Sequence, residues 1–284
     1  MYTTWKMKKT VLDIEYIQKR APFFKTRFGT YLLKKIFHWI DIDKVNQIHA
    51  KHCNLRGSAF TSAMLSDPMM DVRYKVHNKE ILKQLPEGAF ITVSNHPIGS
   101  LDGIILIDIF AAIRPDFRVM VNEILSLISA MEDNFVSVIP KTGDNQDANS
   151  RNINGIRLSL KQIKNGHPMG FFPAGAMSLY DKKHKKVRDL PWTHSVIRLI
   201  RKANVPVIPV YFDCVNSKFF YLLGRINWKI RVLRVAMEAF NKKGKTLHVY
   251  LGRPIPPEKI KSYQSDDDFA DFLYDDTYNS KEKQ

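Results

Sequence analysis

His96 and Asp102 lie in the run Ile91-Thr92-Val93-Ser94-Asn95-His96-Pro97-Ile98-Gly99-Ser100-Leu101-Asp102-Gly103. Histidine is the side chain whose ordinary pKa lets it take and return a proton near neutral pH. A carboxylate beside it holds one ring nitrogen in its N–H form and leaves the other to act as a general base on a hydroxyl group. The apolar residues before His96 read as a strand, and the Pro/Gly turn ends it. If Ser100 caps the helix that follows, Asp102 falls in the first turn, within reach of the imidazole. Each residue also has a plainer reading, Asp102 as a helix-dipole acid and His96 as a turn residue bonded to backbone. Their joint occurrence beside Asn95 and two glycines favours a base and its orienter.

A second strand end reads Met169-Gly170-Phe171-Phe172-Pro173-Ala174-Gly175-Ala176-Met177-Ser178. Its Pro-Ala-Gly turn presents backbone N–H groups suited to an oxyanion or to an acyl or headgroup oxygen, although alone it reads as an ordinary turn. A third run, Val205-Pro206-Val207-Ile208-Pro209-Val210, is a strand whose prolines require a place where ladder bonding is incomplete.

These turns need a scaffold that brings strand ends together. The strands predicted are 90–94, 117–121, 135–139, 169–172, 205–212 and 246–251, with helices at 101–114, 123–132, 150–165, 194–203 and 229–242. The rhythm is α/β, a mixed, largely parallel sheet covered by helices, and in such sheets the site lies at the carboxyl ends of the strands. Residues 1–65 read as an N-terminal amphipathic helical region and 66–284 as the catalytic domain, with no linker between them. Phe28, Tyr31, Leu32, Ile36, Phe37 and Trp39, mixed with Lys34 and Lys35, suit either packing on the domain or contact with a membrane.

The ordered set NHPIGSLDG, FFPAGAMS and VPVIPV resembles the glycerolipid acyltransferase superfamily, and more closely its bacterial branch of hemolysin-like proteins and lyso-ornithine-lipid acyltransferases. The resemblance runs from about residue 57 to Gly252-Arg253-Pro254-Ile255. It implies an O-acyltransferase that moves a fatty acyl group from an acyl thioester to a lysolipid hydroxyl. The acceptor is then a lyso-amino-acid lipid of ornithine or glycine type, or alternatively 1-acylglycerol-3-phosphate. His96 would be the general base and Asp102 its partner, with no covalent enzyme intermediate. Asn95, Gly99, Phe172, Pro173, Ala174, Gly175 and Ser178 would line the substrate site, and Lys141 matches the basic position of a further motif. Cosubstrates would be acyl-ACP or acyl-CoA, with no metal and no bound cofactor.

Two departures stand out. Five residues separate His96 from Asp102 where the commoner motif has four, a spacing normal for the closer branch. Ala174 and Met177 stand where phosphate-using members carry Glu and Arg, which argues against a phosphate-bearing acceptor.

Composition sets the partners. Lys and Arg number 44 against 28 Asp and Glu, a formal charge of +16, so the surface attracts anions: a membrane surface, an acidic acyl carrier protein or nucleic acid. The lysine run at 182–186 reads as a solvated loop or as a contact for headgroups or carrier protein. A nucleic-acid binder would explain the charge but not the motifs, and no recognition motif for nucleic acid is visible. A lipid hydrolase would need a GxSxG elbow, which the sequence lacks. Cys53 and Cys214 have neither disulfide nor zinc spacing, which fits a reducing compartment. No signal-like apolar run opens the chain, and the longest apolar stretch, 103–113, would be about 16 Å long as a helix, half of a bilayer core. A peripheral protein on the cytoplasmic face of the cell membrane is the expectation.

Overall fold

The computed structural model describes residues 8–138 and 146–282. Among them nine strands form: β1 (Arg73–His77), β2 (Ile91–Ser94), β3 (Arg118–Asn122), β4 (Phe135–Val138), β5 (Met169–Phe171), β6 (Leu179–Asp181), β7 (Lys186–Arg188), β8 (Val207–Asp213) and β9 (Thr246–Leu251). Seven of them make one sheet in the order β1-β9-β8-β2-β5-β3-β4, and every neighbouring pair in it is parallel except β8 with β9. The mixed, largely parallel sheet read from the sequence is the one that forms. The chain runs outward from β2 to β3 and β4, then returns through β5 and crosses to β8 on the other side of β2. The three motif-bearing strands, β8, β2 and β5, are thereby adjacent at the centre, and the loops after β2 and β5 leave the same edge.

Each face of the sheet carries its own core. Along β8, Ile208, Val210 and Phe212 point into one cluster and Val207 into the other, as the two-residue period of a strand demands. The first face is covered by the helix Leu101–Phe110, all ten of whose residues are buried, so the long apolar stretch serves as a core helix. Val11, Ile48 and Phe60 from the N-terminal region join Ile98 and Leu101 in that same cluster. The second face is covered by helices that include His194–Ala203 and Asp266–Tyr278.

β8 is an inner strand, yet Pro209 is tolerated there. Its carbonyl accepts Gly252 N–H at 2.8 Å, and β9 has already ended at Leu251, so the donor that proline lacks falls where the ladder is broken. The helix Arg27–Trp39 packs on the domain through Gly29, Leu33 and Phe37, which are buried, while Phe28, Tyr31, Leu32 and Trp39 form a separate exposed stripe.

Several elements differ from the sequence reading. The helix expected at 123–132 is two short 3₁₀ helices, Glu123–Leu127 and Ser129–Asn134, because Ile128 leaves helical geometry at ψ 85°. The helix expected at 229–242 is broken into Trp228–Leu233 and Val235–Phe240, preceded by an unforeseen helix, Lys218–Ile226. The lysine run forms the turn of an antiparallel hairpin, β6 with β7, where Asp181 accepts Lys183 N–H at 2.8 Å.

Candidate active site

Strand β2 delivers His96 to the carboxyl edge of the sheet, two residues past Ser94. The chain then turns through Gly99, at φ +101°, where a Cβ would lie 2.4 Å from Met177 Sδ; glycine is needed there for conformation and for room. Asp102 follows in the first helical turn and is fully buried. Its Oδ2 accepts the backbone N–H groups of Ile98 at 3.0 Å and Gly99 at 2.8 Å, so this carboxylate closes the turn that leads into the helix. Ser100 occupies the N-cap position but its hydroxyl makes no cap bond, which corrects the role given to it from sequence.

The same Oδ2 lies 2.9 Å from His96 Nδ1. The contact has ion-pair distance without hydrogen-bond alignment, since the oxygen sits off the Nδ1–H direction. A small ring rotation aligns it, and such bonds commonly tighten only when substrate arrives. Phe172, the first residue after β5, packs its ring 4.2 Å from the imidazole centroid and limits how far the ring swings. The imidazole itself is 17 % exposed. With Nδ1 turned to Asp102, Nε2 is the ring nitrogen placed to take a proton.

The remaining predicted residues divide sharply. Gly99 and Phe172 flank His96, and Gly175, at φ +64°, is exposed on the second loop. Its N–H is turned inward to Phe172 O at 3.0 Å, so it is not a free oxyanion donor. The Asn95 amide donates to Phe212 O at 3.0 Å and accepts Phe212 N–H at 2.7 Å, stitching the end of β2 to β8. Pro173 is buried, with its carbonyl taken by Thr193, and Ala174 lies in the second core. Ser178 is buried, its hydroxyl donating to Asp189 and its N–H to His96 O. Lys141 lies outside the described residues.

Asp189 was not singled out from sequence. It sits beyond β7 and gathers the site: Oδ1 accepts His96 N–H at 3.1 Å and the Ser178 hydroxyl, and Oδ2 accepts Trp192 Nε1–H at 3.2 Å. Its own N–H donates to the Tyr278 hydroxyl of the C-terminal helix at 2.8 Å. Burial pushes its carboxyl above the ordinary range, against the pull of those donors. A lone aspartate before Leu-Pro-Trp gives no periodic or spacing signal, so only the fold discloses it. Burial likewise pushes the Cys214 thiol well up, with the Asp102 charge adding to it, so this sulfur is no thiolate nucleophile. No three His, Cys, Asp or Glu side chains cluster as metal ligands among the described residues.

The arrangement sets a half-buried imidazole against a buried carboxylate at the mouth of two parallel strand ends, a pair whose chemistry suits proton transfer with a hydroxyl. A family model described as Acyltransferase matches residues 15–283. The lyso-glycine lipid O-acyltransferase of Bacteroides thetaiotaomicron is 29% identical to this chain over 280 residues, covering 94% of this chain and 97% of that protein. The protein of the same description from Phocaeicola vulgatus is 26% identical over 277 residues, covering 94% of each. The crystal structure of the 1-acyl-sn-glycerophosphate acyltransferase of Thermotoga maritima superposes with a TM-score of 0.51 at 17% identity, across 95% of this chain and 94% of that one, a likeness of fold.

Proposed function

The chain belongs to the acyltransferase family, and from that premise we propose that it esterifies the free hydroxyl of a lyso-glycine lipid with a fatty acyl group from an acyl thioester, His96 acting as general base. In this reading His96 Nε2 takes the proton of the acceptor hydroxyl as its oxygen attacks the thioester carbonyl. The tetrahedral intermediate then expels the thiol, which leaves with the proton returned by the imidazolium. Asp102 holds Nδ1 as N–H and balances the charge the ring carries between the two transfers. The observation that carries the proposal is the His96 Nδ1 to Asp102 Oδ2 contact at 2.9 Å, which leaves the ring's other nitrogen to take the proton. Acyl-ACP and acyl-CoA are both donors of the required chemistry.

The acceptor rests on two supports. The relatives from Bacteroides thetaiotaomicron and Phocaeicola vulgatus are described as lyso-glycine lipid O-acyltransferases and align over almost the whole chain. Met177, in place of the Arg of phosphate-using members, lies over Gly99 next to the base, so a thioether stands where paired charged hydrogen bonds to phosphate would be needed. Reaction is proposed to take place at the cytoplasmic membrane surface, with the protein held peripherally. In support, no helix among the described residues is long and apolar enough to cross a membrane, and the chain carries a charge of +16.

The test compares purified protein on lyso-glycine lipid and on lysophosphatidic acid, with each donor, in the same detergent. We expect the glycine lipid to be used with a kcat/KM at least about tenfold higher, the worth of one well-placed charged interaction. Preference for lysophosphatidic acid returns the protein to phospholipid synthesis.

A further inference from the structure

The helices Lys218–Ile226 and Trp228–Leu233 fold as a short pair because the chain cannot continue straight. Ser217 caps the first, accepting Phe220 N–H at 3.1 Å, and Asn227 ends it in an extended conformation. Gly224 lets Arg231 of the second helix come so close that a Cβ would lie 2.7 Å from its Cδ, and the Arg231 guanidinium covers the Phe220 ring at 5.4 Å. The first helix buries only Phe220.

The apolar remainder faces outward. Phe219, Leu222 and Ile226 are 51%, 49% and 72% exposed and fall at i, i+3 and i+7, one stripe on one face. Ile230 and Leu233 add 40% and 51% exposed side chains from the second helix. An apolar surface this continuous marks a contact. Its charge says with what: from Ser217 to Met237 the sequence holds Lys218, Arg225, Lys229, Arg231 and Arg234 and no acid, and although Arg231 is buried and Arg234 turns inward to Glu238, Lys218 and Arg225 stay on the exposed first helix. Apolar side chains among cations, with no anion to repel phosphate, suit the headgroup region of an anionic bilayer.

The pair is also tied to the site. Asn216 Nδ2, immediately before it, donates to Ile98 O at 3.1 Å inside the catalytic turn, and Ser217 N–H donates to the buried Glu238 at 2.8 Å. On the far side, Val235 Cγ1 lies 3.5 Å from where a Cβ of Gly99 would be. We propose that the helix pair 218–233 is the element by which the protein rests on anionic phospholipid, and that it sets the turn carrying His96 against the lipid surface. This deepens the acyltransfer reading and rests on it for the lipid substrate alone.

The experiment uses the full chain with vesicles of phosphatidylcholine, alone or mixed equally with phosphatidylglycerol. The variant Leu222→Glu/Ile226→Glu changes only exposed side chains, and its melting curve is compared with that of the parent. We expect parent binding to the mixed vesicles and a loss of about tenfold or more in the variant, while acyl transfer to a short-chain, monomeric lysolipid is unchanged. Unaltered vesicle binding by the folded variant overturns the proposal. So does a variant that stays on vesicles but loses self-association, or loses capture by acyl carrier protein, since the occupant is then a second copy or an acidic protein. A parent that transfers no acyl group to any lysolipid fails the catalytic reading and leaves the vesicle result standing.

Discussion

Asp102 Oδ2 accepts two backbone N–H groups and lies 2.9 Å from His96 Nδ1, so the acid that shapes the turn is also the one placed to orient the proposed base. Loss of a general base removes about 10²- to 10⁴-fold in rate. We expect His96→Ala to lower kcat by at least about 100-fold, Asp102→Asn somewhat less, and Asp189→Asn by roughly tenfold with KM unchanged. In this reading Asp189 acts as a positioning residue, holding the His96 N–H and the Ser178 hydroxyl. Steady-state kinetics with melting curves decide it, and a folded His96→Ala protein that keeps more than about a tenth of the rate removes the base role. The raised Asp189 pKa adds a second readout. A carboxyl whose folded pKa is raised contributes stability that is present below its unfolded value and lost as pH rises through the folded one. Asn does not titrate, so the variant should lose less stability than the parent as pH climbs above about 4.

Element by element, the N-terminal helices are fastened by Asp67, buried at the end of the helix Gly57–Ser66. It accepts Lys51 Nζ at 2.7 Å, His52 Nε2 at 2.9 Å and Met69 N–H at 2.9 Å, and these outweigh burial to hold its carboxyl at about 2. A depressed carboxyl contributes stability above its unfolded pKa, lost as pH falls through its folded value. Parent stability should therefore decline between about pH 4 and pH 2, by no more than about 2 kcal/mol given that Lys51 is largely exposed, and Asp67→Asn should flatten that decline. Acid titration followed by circular dichroism checks it. The six expected strands were legible as apolar runs bounded by turn residues, and so were the turns after β2 and β5, which are local chemistry, whereas the three-residue hairpin strands β6 and β7 were too short and polar to read. The C-terminal helix Asp266–Tyr278 was missed despite a signal in plain view, a Ser265 cap with Asp268 three residues on, bonded to its N–H at 3.0 Å. The break at Asn227 gave no such signal, since apolar residues continue at helical spacing on both sides of it. The bonds of Asn95 and Asp189 were not legible because the tertiary fold supplies partners such as Phe212 and His96.

For the molecule as a whole, a charge of +16 brings long-range attraction to any anionic surface, and in the membrane reading proposed above the exposed stripes would supply the contact. Raising salt shrinks the screening length from about 10 Å at 0.1 M to about 3 Å at 1 M. Part of the protein should leave anionic vesicles in flotation at high salt; complete retention would assign the binding to apolar contact alone. The sheet order carries a further consequence for biosynthesis. β1 pairs only with β9, so Arg73 finds its partner Thr246 a full 173 positions later. At roughly 5–20 residues per second, the ribosome needs about 10–35 s to make the intervening chain. For that interval the first strand to be translated remains an unpaired edge, open to other nascent chains and a natural client for chaperones, and the last strand to emerge is the one that closes it.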